Sequence, residues 1–539
     1  MYIATVPNRN SPPAILLREG YREDGKSKNR TLANLSTWRP ERIEALRRAL
    51  RGEFDGFVGD VDPTSDRIFG VLFALEKLAD RLGIVKALGR SSMAKLALFL
   101  VLARVADQGS RRSAARWAQD HCIAEIFGLN AISEKELYRA LDWLTQHQDG
   151  IEKKLYRRYA KEKGAANVLV LYDVTSAYLE GECNELGRYG YCRDKKKGKK
   201  QIVVGLLTSA DGEPLSIKVF EGNTSDPETV SSQIEALKRR FGAEEVVFVG
   251  DRGMVKSKGK EALRENGFKY ITALTNPQVR KLLKEGVLQF DLFDKTVCEA
   301  QHGALRLVLR RNEKVRRKEE MRREDKLHRL EELIQMRNTF VSASKRAEPE
   351  SGLRKLVTWA KRHKISSFIE LTLQSDRIVL TIDERAKADA SLLDGCYVLE
   401  TDVSQGDMAA ETVDERYRSL QQVERNFRTL KTGFLEIRPV FVRKAHRTQA
   451  HALVSMMALK IVREMDRCLK SALLDYGPAD ALLSLSRWCF QSYDTGTVSF
   501  LRLQRPDQHQ VSILNALCIR PPHKSSSKLL TDQKPRKPD

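Results

Sequence analysis

From about residue 165 the apolar pattern of this 539-residue chain stops repeating at helical spacing and breaks into short runs between turn signals, which commits the middle of the chain to a sheet. VLVLYDV, QIVVGLLTS and PLSIKVFEG read as three successive strands, the latter two joined by ADGE, a tight hairpin signal. The stretch from Asp226 to about Phe241 reads as a helix, EVVFVGDRG as a strand, KSKGKEALRENG as a helix and KYITAL as a further strand.

Three strands, a helix, a strand, a helix and another strand is the succession of a ribonuclease-H-like α/β domain with a mixed sheet. Within it, Asp173 ends the apolar run Val168 to Tyr172, and Asp251 follows Val246 to Gly250 in the same way. Ligands gather at the carboxyl edge of such sheets, and neighbouring strands lie about 4.8 Å apart, so two acids at adjacent strand ends can share an ion. A third acid comes from a helix expected over 411–431. Residues seven apart fall on nearly one helical face, as Tyr417, Glu424 and Lys431 do. Leu420, Val423, Phe427 and Leu430 form the neighbouring apolar stripe that would dock this helix on the sheet and leave Glu424 at its edge.

Three oxygen donors without His or Cys suit Mg²⁺ or Mn²⁺ rather than zinc, and two such ions suit in-line displacement at phosphorus. Taken singly, a strand-end Asp is usually a turn former and a helical Glu a surface residue. The conjunction of Asp173, Asp251 and Glu424 in a basic chain is what points to phosphodiester chemistry. The chain carries 94 Lys and Arg against 72 Asp and Glu, a net charge of +22, so a polyanion is the expected partner. The run RDKKKGKK, with Lys195, Lys196 and Lys197, lies between the first two strands and favours phosphate contact over a merely solvated loop.

Around this centre, residues 1–60 read as a loosely ordered basic arm. Residues 61–163 read as a helical domain, with Ser133 and Glu136 as a capping box; Arg111, Arg112 and Arg116 would place a helix in a DNA groove or form only a solvated basic face. The catalytic domain is expected in two parts, 164–275 and 393–460, split by an insertion subdomain at 276–392. That insertion holds a charged, solvated helix over 311–338. Helices over 461–520 and a disordered tail at 521–539 complete the chain. The eight cysteines include no CxxC pair, which argues against structural zinc and a disulfide framework. Neither a signal peptide nor a membrane-length apolar run is found, so a cytoplasmic protein, at the nucleoid when bound to DNA, is expected. His446 and His451 fit capping or packing better than DNA contact. Walker, H-E-x-x-H and G-x-S-x-G patterns are missing, which leaves ATP use, zinc proteolysis and serine hydrolysis without support.

At YDVTSAYLE, GRYGYCRDKKKGKKQIVVGLL, PLSIKVFEGNTSD, GDRGM and YRSLQQVERNFRTLKTGFLEIRPVFV the chain resembles the DDE transposases of bacterial insertion sequences, over about 165–460. The likeness is to the IS-four superfamily with its Y-x2-R-x3-E-x6-K signature. Tyr417, Glu424 and Lys431 occupy signature positions, and Leu420 stands where the signature has Arg. The gap of 173 residues from Asp251 to Glu424, against 78 between the two Asp, is also like the family.

The resemblance implies Asp173, Asp251 and Glu424 as metal-binding catalytic acids, and Tyr417, Lys431 and Arg428 as DNA contacts beside Lys195, Lys196 and Lys197. Arg416, Arg418 or Arg428 would substitute for the missing signature Arg. It further implies a homodimer acting on terminal inverted repeats, bound by the helical domain 61–163, and on target DNA by cut-and-paste transposition through a hairpin intermediate. The competing readings are a ribonuclease-H-like nuclease without strand transfer and an inactive descendant kept as a DNA-binding protein.

Overall fold

The strand runs in the middle of the chain assemble into one eight-stranded mixed sheet. This computed structural model describes residues 1–9, 11–53, 62–163, 168–194, 196–241, 246–252, 254–289, 297–344, 348–431, 434–438, 440–494, 499–522 and 528–529. They fall into two compact units, one of Met1–Leu82, Gly109–Leu137 and Ile461–Asp539, the other of Gly83–Gln108 and Tyr138–Lys460.

The second unit holds the large sheet. Its strands in chain order are β1 (Val168–Tyr178), β2 (Gln201–Ser209), β3 (Pro214–Glu221), β4 (Val246–Gly250), β5 (Lys269–Ala273), β6 (Cys298–His302), β7 (Leu305–Arg311) and β8 (Cys396–Thr401). In space the order is β6-β7-β8-β5-β4-β1-β2-β3. β4 runs parallel to both β1 and β5, and every other neighbouring pair is antiparallel. All nine residues of β2 are buried, which is why its sequence is a continuous apolar run rather than an alternation. The ADGE turn to β3 places Gly212 at φ +79°, and Ser209 and Glu213 close it through their backbones.

One face of this sheet carries Val170, Tyr172 and Val174 of β1 into a core with Val230 and Ile234 of the helix Asp226–Ala236, Leu263 of the helix Ser257–Glu265 and Tyr156 of the helix Glu134–Lys163. The last of these helices starts as its capping box requires: the Ser133 amide donates to Glu136 at 2.9 Å, and the Glu136 amide donates back to Ser133 Oγ at 3.3 Å.

The insertion expected at 276–392 is not separate from the sheet. After the helix Asn276–Lys284 the chain returns as β6 and β7, and β7 pairs along its length with β8. The charged helix extends over Glu313–Ala343 and is not solvated all round. Leu327, Leu330 and Ile334 are buried against Leu356 and Ala360 of the helix Pro349–Arg362 and against Phe368 and Ile378. Phe368 precedes, and Ile378 belongs to, the hairpin Ile369–Gln374 and Arg377–Ile382. Arg337 lies where a Cβ on Gly352 would come within 2.3 Å of its Nε, so the two helices meet across a glycine.

The first unit corrects two expectations. Residues 1–60, read as a loose arm, contain the antiparallel strands Tyr2–Val6, Ala14–Glu23 and Lys26–Asn34 and the helix Pro40–Leu50. The turn between the second and third strands is Asp24-Gly25, both at positive φ (49° and 74°), the geometry that a two-residue hairpin demands. Residues 461–520, read as helical, include the strands Cys489–Asp494 and Ser499–Leu503, and the first of these pairs with Asp62–Ile68. The stretch 61–163 thus begins with a strand, and it is shared between the two units rather than forming one helical domain. Trp488 is buried beside Phe69, ring centroids 5.1 Å apart at 90°. Most of the tail, and Lys195, lie outside the described residues.

His446 Nε2 lies 2.9 Å from Asp142, and buried His451 faces the Ile437 carbonyl at 3.2 Å, both packing roles. None of the eight cysteines is in a disulfide. No helix among the described residues is long and apolar enough to cross a membrane.

Candidate active site

The parallel ladder between β1 and β4 ends at the pair Tyr172 and Gly250. The next residue on each strand is an acid, Asp173 on one side and Asp251 on the other. Neighbouring strands are about 4.8 Å apart, so two acids that follow a matched pair stand level with each other. Asp251 comes directly after the last residue of β4, as expected. Asp173 does not end its strand: β1 continues to Tyr178, with Asp173 paired to Leu206 of β2. It is the neighbour β4 that stops, so Asp173 is held rigidly by β2 at the point where the other side of β1 opens.

Side chains alternate faces along a strand. Val170, Tyr172 and Val174 enter the core, so Asp173 and Thr175 point to the opposite face. Against β1 packs the helix Leu420–Lys431, which buries Val423, Phe427 and Leu430 and leaves Glu424 exposed. Burial of each of those apolar side chains contributes about 1.5–3 kcal/mol, enough to fix the helix and with it Glu424. Asn426 adds a hydrogen bond of 2.8 Å to the Gly212 carbonyl in the β2–β3 turn. The single helix expected over 411–431 is two, Ala410–Arg418 and Leu420–Lys431, interrupted at Ser419.

Asp173, Asp251 and Glu424 line one cavity of about 280 Å³, together with Val174, Thr175, Arg193, Asp226, Arg252, Met254 and Phe427. The Val174 amide donates to Asp173 Oδ1 at 2.7 Å, and the Arg252 amide to Asp251 Oδ1 at 2.6 Å. The Tyr417 hydroxyl also donates to Asp251 Oδ1, at 3.2 Å. Burial pushes the Asp173 carboxyl up to about 7, and the charges of Asp251 and Glu424 push the same way, against the Val174 amide and Arg193. Burial and the Asp251 charge also raise the Tyr417 hydroxyl.

The other residues singled out in the sequence divide. Lys431 is not presented to solvent: its ammonium is 2.8 Å from Asp194, which Arg438 also contacts at 2.5 Å. Burial lowers the Lys431 ammonium, against the pull of Asp194. Arg428, Lys196 and Lys197 are exposed, and Lys196 sits 5.8 Å from the ring centroid of Tyr178. Of the arginines expected to replace the signature Arg, Arg418 is engaged 3.0 Å from buried Asp414. Arg193 and Arg252 line the cavity instead; from sequence Arg193 was only part of the basic run RDKKKGKK, and Arg252 was given no role of its own. Arg252 directly follows Asp251, so it carried a signal of position. Arg193 did not, because its place depends on contacts made far along the chain: its amide donates to Ser176 Oγ at 2.8 Å and its guanidinium pairs with Asp226 at 2.6 Å. Asp226 is thereby a fourth, unforeseen acid of the cavity.

The donor set suits a hard divalent cation, since it consists of carboxylates only and their mutual repulsion is relieved by positive charge. Among the described residues no three His, Cys, Asp or Glu are gathered into a closed ligand group, so the fit is one of donor chemistry and charge around a shared cavity.

The chain matches two family models. One, described as the transposase DDE domain, covers residues 164–461, and the other, the N-terminal domain of IS1634 family transposases, covers residues 3–61. No curated protein sequence matches. Among solved structures, a piggyBac transposase synaptic complex with hairpin DNA aligns over 85% of this chain and 82% of that one, at 9% identity and a TM-score of 0.34. The DDE domain accounts for more than half of the chain and contains the whole acid-lined cavity, and the chain belongs to the DDE transposases of insertion sequences, enzymes that cleave DNA and transfer its strands.

Proposed function

We propose that Asp173, Asp251 and Glu424 are the catalytic acids of this transposase and together hold two divalent ions, Mg²⁺ or Mn²⁺. The observation that carries this reading is their convergence on one cavity where the β1–β4 ladder ends. The bound ions would supply charge neutralisation and activation of the attacking and leaving oxygens at phosphorus. The strand order β3-β2-β1-β4-β5, with β1, β4 and β5 parallel, supports a ribonuclease-H-like arrangement for this part of the sheet.

The protein's own groups orient the acids. Tyr417 fixes the Asp251 carboxylate, and the Val174 amide fixes Asp173. Arg193 and Arg252, both on the cavity, take the phosphate contact that Leu420 cannot make. Tyr417, Glu424 and Lys431 at signature spacing support membership of the IS-four superfamily. In that reading a homodimer binds the terminal inverted repeats, with residues 61–163 among the contacts. Hydrolysis at the element's end frees a 3′-hydroxyl, which attacks the opposite strand to form a hairpin and release the flanking DNA; a second hydrolysis opens the hairpin and frees the 3′-hydroxyl again for attack on target DNA. Arg428 and the lysines at 195–197 add contacts to the DNA backbone.

The test is to incubate the protein and Mg²⁺ with DNA bearing the repeats that flank its own gene, beside Asp251→Ala. Cleavage and joining by the parent and neither by the variant are expected. Products that persist in the variant overturn the assignment, and cleavage without joining makes the protein a nuclease.

A further inference from the structure

We propose that Tyr189 and Tyr191 form a stacking platform for unpaired nucleotides of DNA beside the acid-lined cavity, an inference that rests on the transposase reading of that cavity. Both tyrosines are exposed, Tyr189 at 62% and Tyr191 at 85%, although they sit on a backbone with little freedom. Arg188 and Gln201 exchange backbone hydrogen bonds at 3.1 and 2.9 Å, and the Gly222 amide donates to the Leu186 carbonyl at 3.0 Å. Gln201 Nε2 donates to the Tyr191 carbonyl at 3.2 Å. Gly190, between the tyrosines, lies so close to the strand end that an added Cβ would be 2.3 Å from the Gly222 carbonyl oxygen. Beyond Tyr191, Arg193 is tied to Ser176 and Asp226, and Asp194 to Lys431 and Arg438. The segment is therefore pinned on both sides of the two rings, which are held out rather than left out.

Charge and position narrow what such rings can receive. Lys200 Nζ lies 5.9 Å from the Tyr189 ring centroid, and Lys196 and Lys197 are exposed in the same segment. Aromatic faces interleaved with lysines suit a strand whose bases stack while its phosphates meet cations. A duplex hides its base faces within its own stack, so the occupant is unpaired. Arg193, two residues beyond Tyr191, lines the cavity, so nucleotides on the platform are neighbours of the phosphodiester in the site.

The test uses the full chain in EDTA, so that no cleavage is needed. Fluorescence anisotropy measures Kd for a 20-base-pair duplex with a four-nucleotide single-stranded end and for the blunt duplex of the same sequence, with 2-aminopurine in the overhang reporting stacking. The parent is expected to prefer the overhang and to quench 2-aminopurine. Tyr189→Ala and Tyr191→Ala should each weaken overhang binding about tenfold, leave blunt-duplex binding unchanged and lose the quenching. The Phe variants should behave as the parent. Alanine variants that bind both DNAs as the parent does, or lose both equally, overturn the proposal, as do Phe variants that fail like Ala. A chain that prefers the overhang but never cuts DNA with Mg²⁺ would keep the platform and lose the catalytic assignment; a chain that cuts but shows no preference would do the reverse.

Discussion

Tyr417 donates its hydroxyl to Oδ1 of Asp251 at 3.2 Å, which joins the helix before Ser419 to the acid at the end of β4. A hydrogen bond to a charged group is worth about 1.5–3 kcal/mol. Tyr417→Phe keeps the ring, stacked 6.2 Å from Tyr397, and removes only the donor. Single-turnover cleavage of an end-bearing DNA should slow about tenfold or more, while the melting temperature falls by no more than about a few degrees. An unchanged rate would show that Asp251 does not need this bond.

Direct ligation can be read from metal preference. Asp251→Cys replaces a hard oxygen with a soft sulfur, which binds Mg²⁺ poorly and accepts Mn²⁺ better. Cleavage with Mg²⁺ should disappear and part of it return with Mn²⁺, whereas Asp226→Cys, at the acid paired with Arg193, should show no such switch. Equal loss in both metals for Asp251→Cys would argue against its being a ligand.

Asp173 gives a stability prediction with a defined sign in the metal-free protein. Its carboxyl is raised by burial to about 7 in the fold, against about 3.9 in the unfolded chain. A raised value means that its contribution is fully present below the unfolded value and is lost as pH rises through about 7. In EDTA, Asp173→Asn should therefore melt higher than the parent at pH 8 and nearly with it at pH 4, while cutting no DNA. A gap that widens toward low pH would contradict the burial and like-charge account.

Asp194, Lys431 and Arg438 test whether the end of the helix that carries Glu424 is anchored by charge. The Asp194 side chain is only 4% exposed and answers two cations. Removing one member of a buried ion pair costs about 3–5 kcal/mol, because its partner is left uncompensated. Asp194→Ala should lower the melting temperature clearly, and adding Lys431→Met should restore part of the loss. If the double variant shows the full sum of both single losses, the groups are not coupled.

The sequence made the centre of this protein legible and its margins obscure, for physical reasons. β1 to β5 were readable because a buried strand writes itself as a continuous apolar run, as β2 does. The strand Lys26–Asn34 is exposed at every residue, so no apolar period marked it; its one signal was the Asp24-Gly25 turn. Asp62–Ile68 was hidden differently, since its partner Cys489–Asp494 lies more than 400 residues away in the chain. At the site, Asp173, Asp251 and Glu424 were found because acids beside apolar runs stand out, and they meet in one cavity. Arg193 and Asp226 escaped because a guanidinium in a basic loop and an acid at a helix start are ordinary until the fold brings them together. Lys431 was expected to contact DNA, and its ion pair escaped because the partner Asp194 belongs to a loop 237 residues earlier.

The three acids of the proposed assignment, Asp173, Asp251 and Glu424, reach the cavity from separate stretches of chain. Glu424 lies 173 residues after Asp251, so translation passes the first two acids long before it reaches the third. A nascent or prematurely terminated chain has the lysine-rich segment long before it has all three acids, so under the proposed assignment it would meet DNA without the means to cut it. With the acids in their proposed roles, synthesis itself would be a safety interval between finding DNA and breaking it.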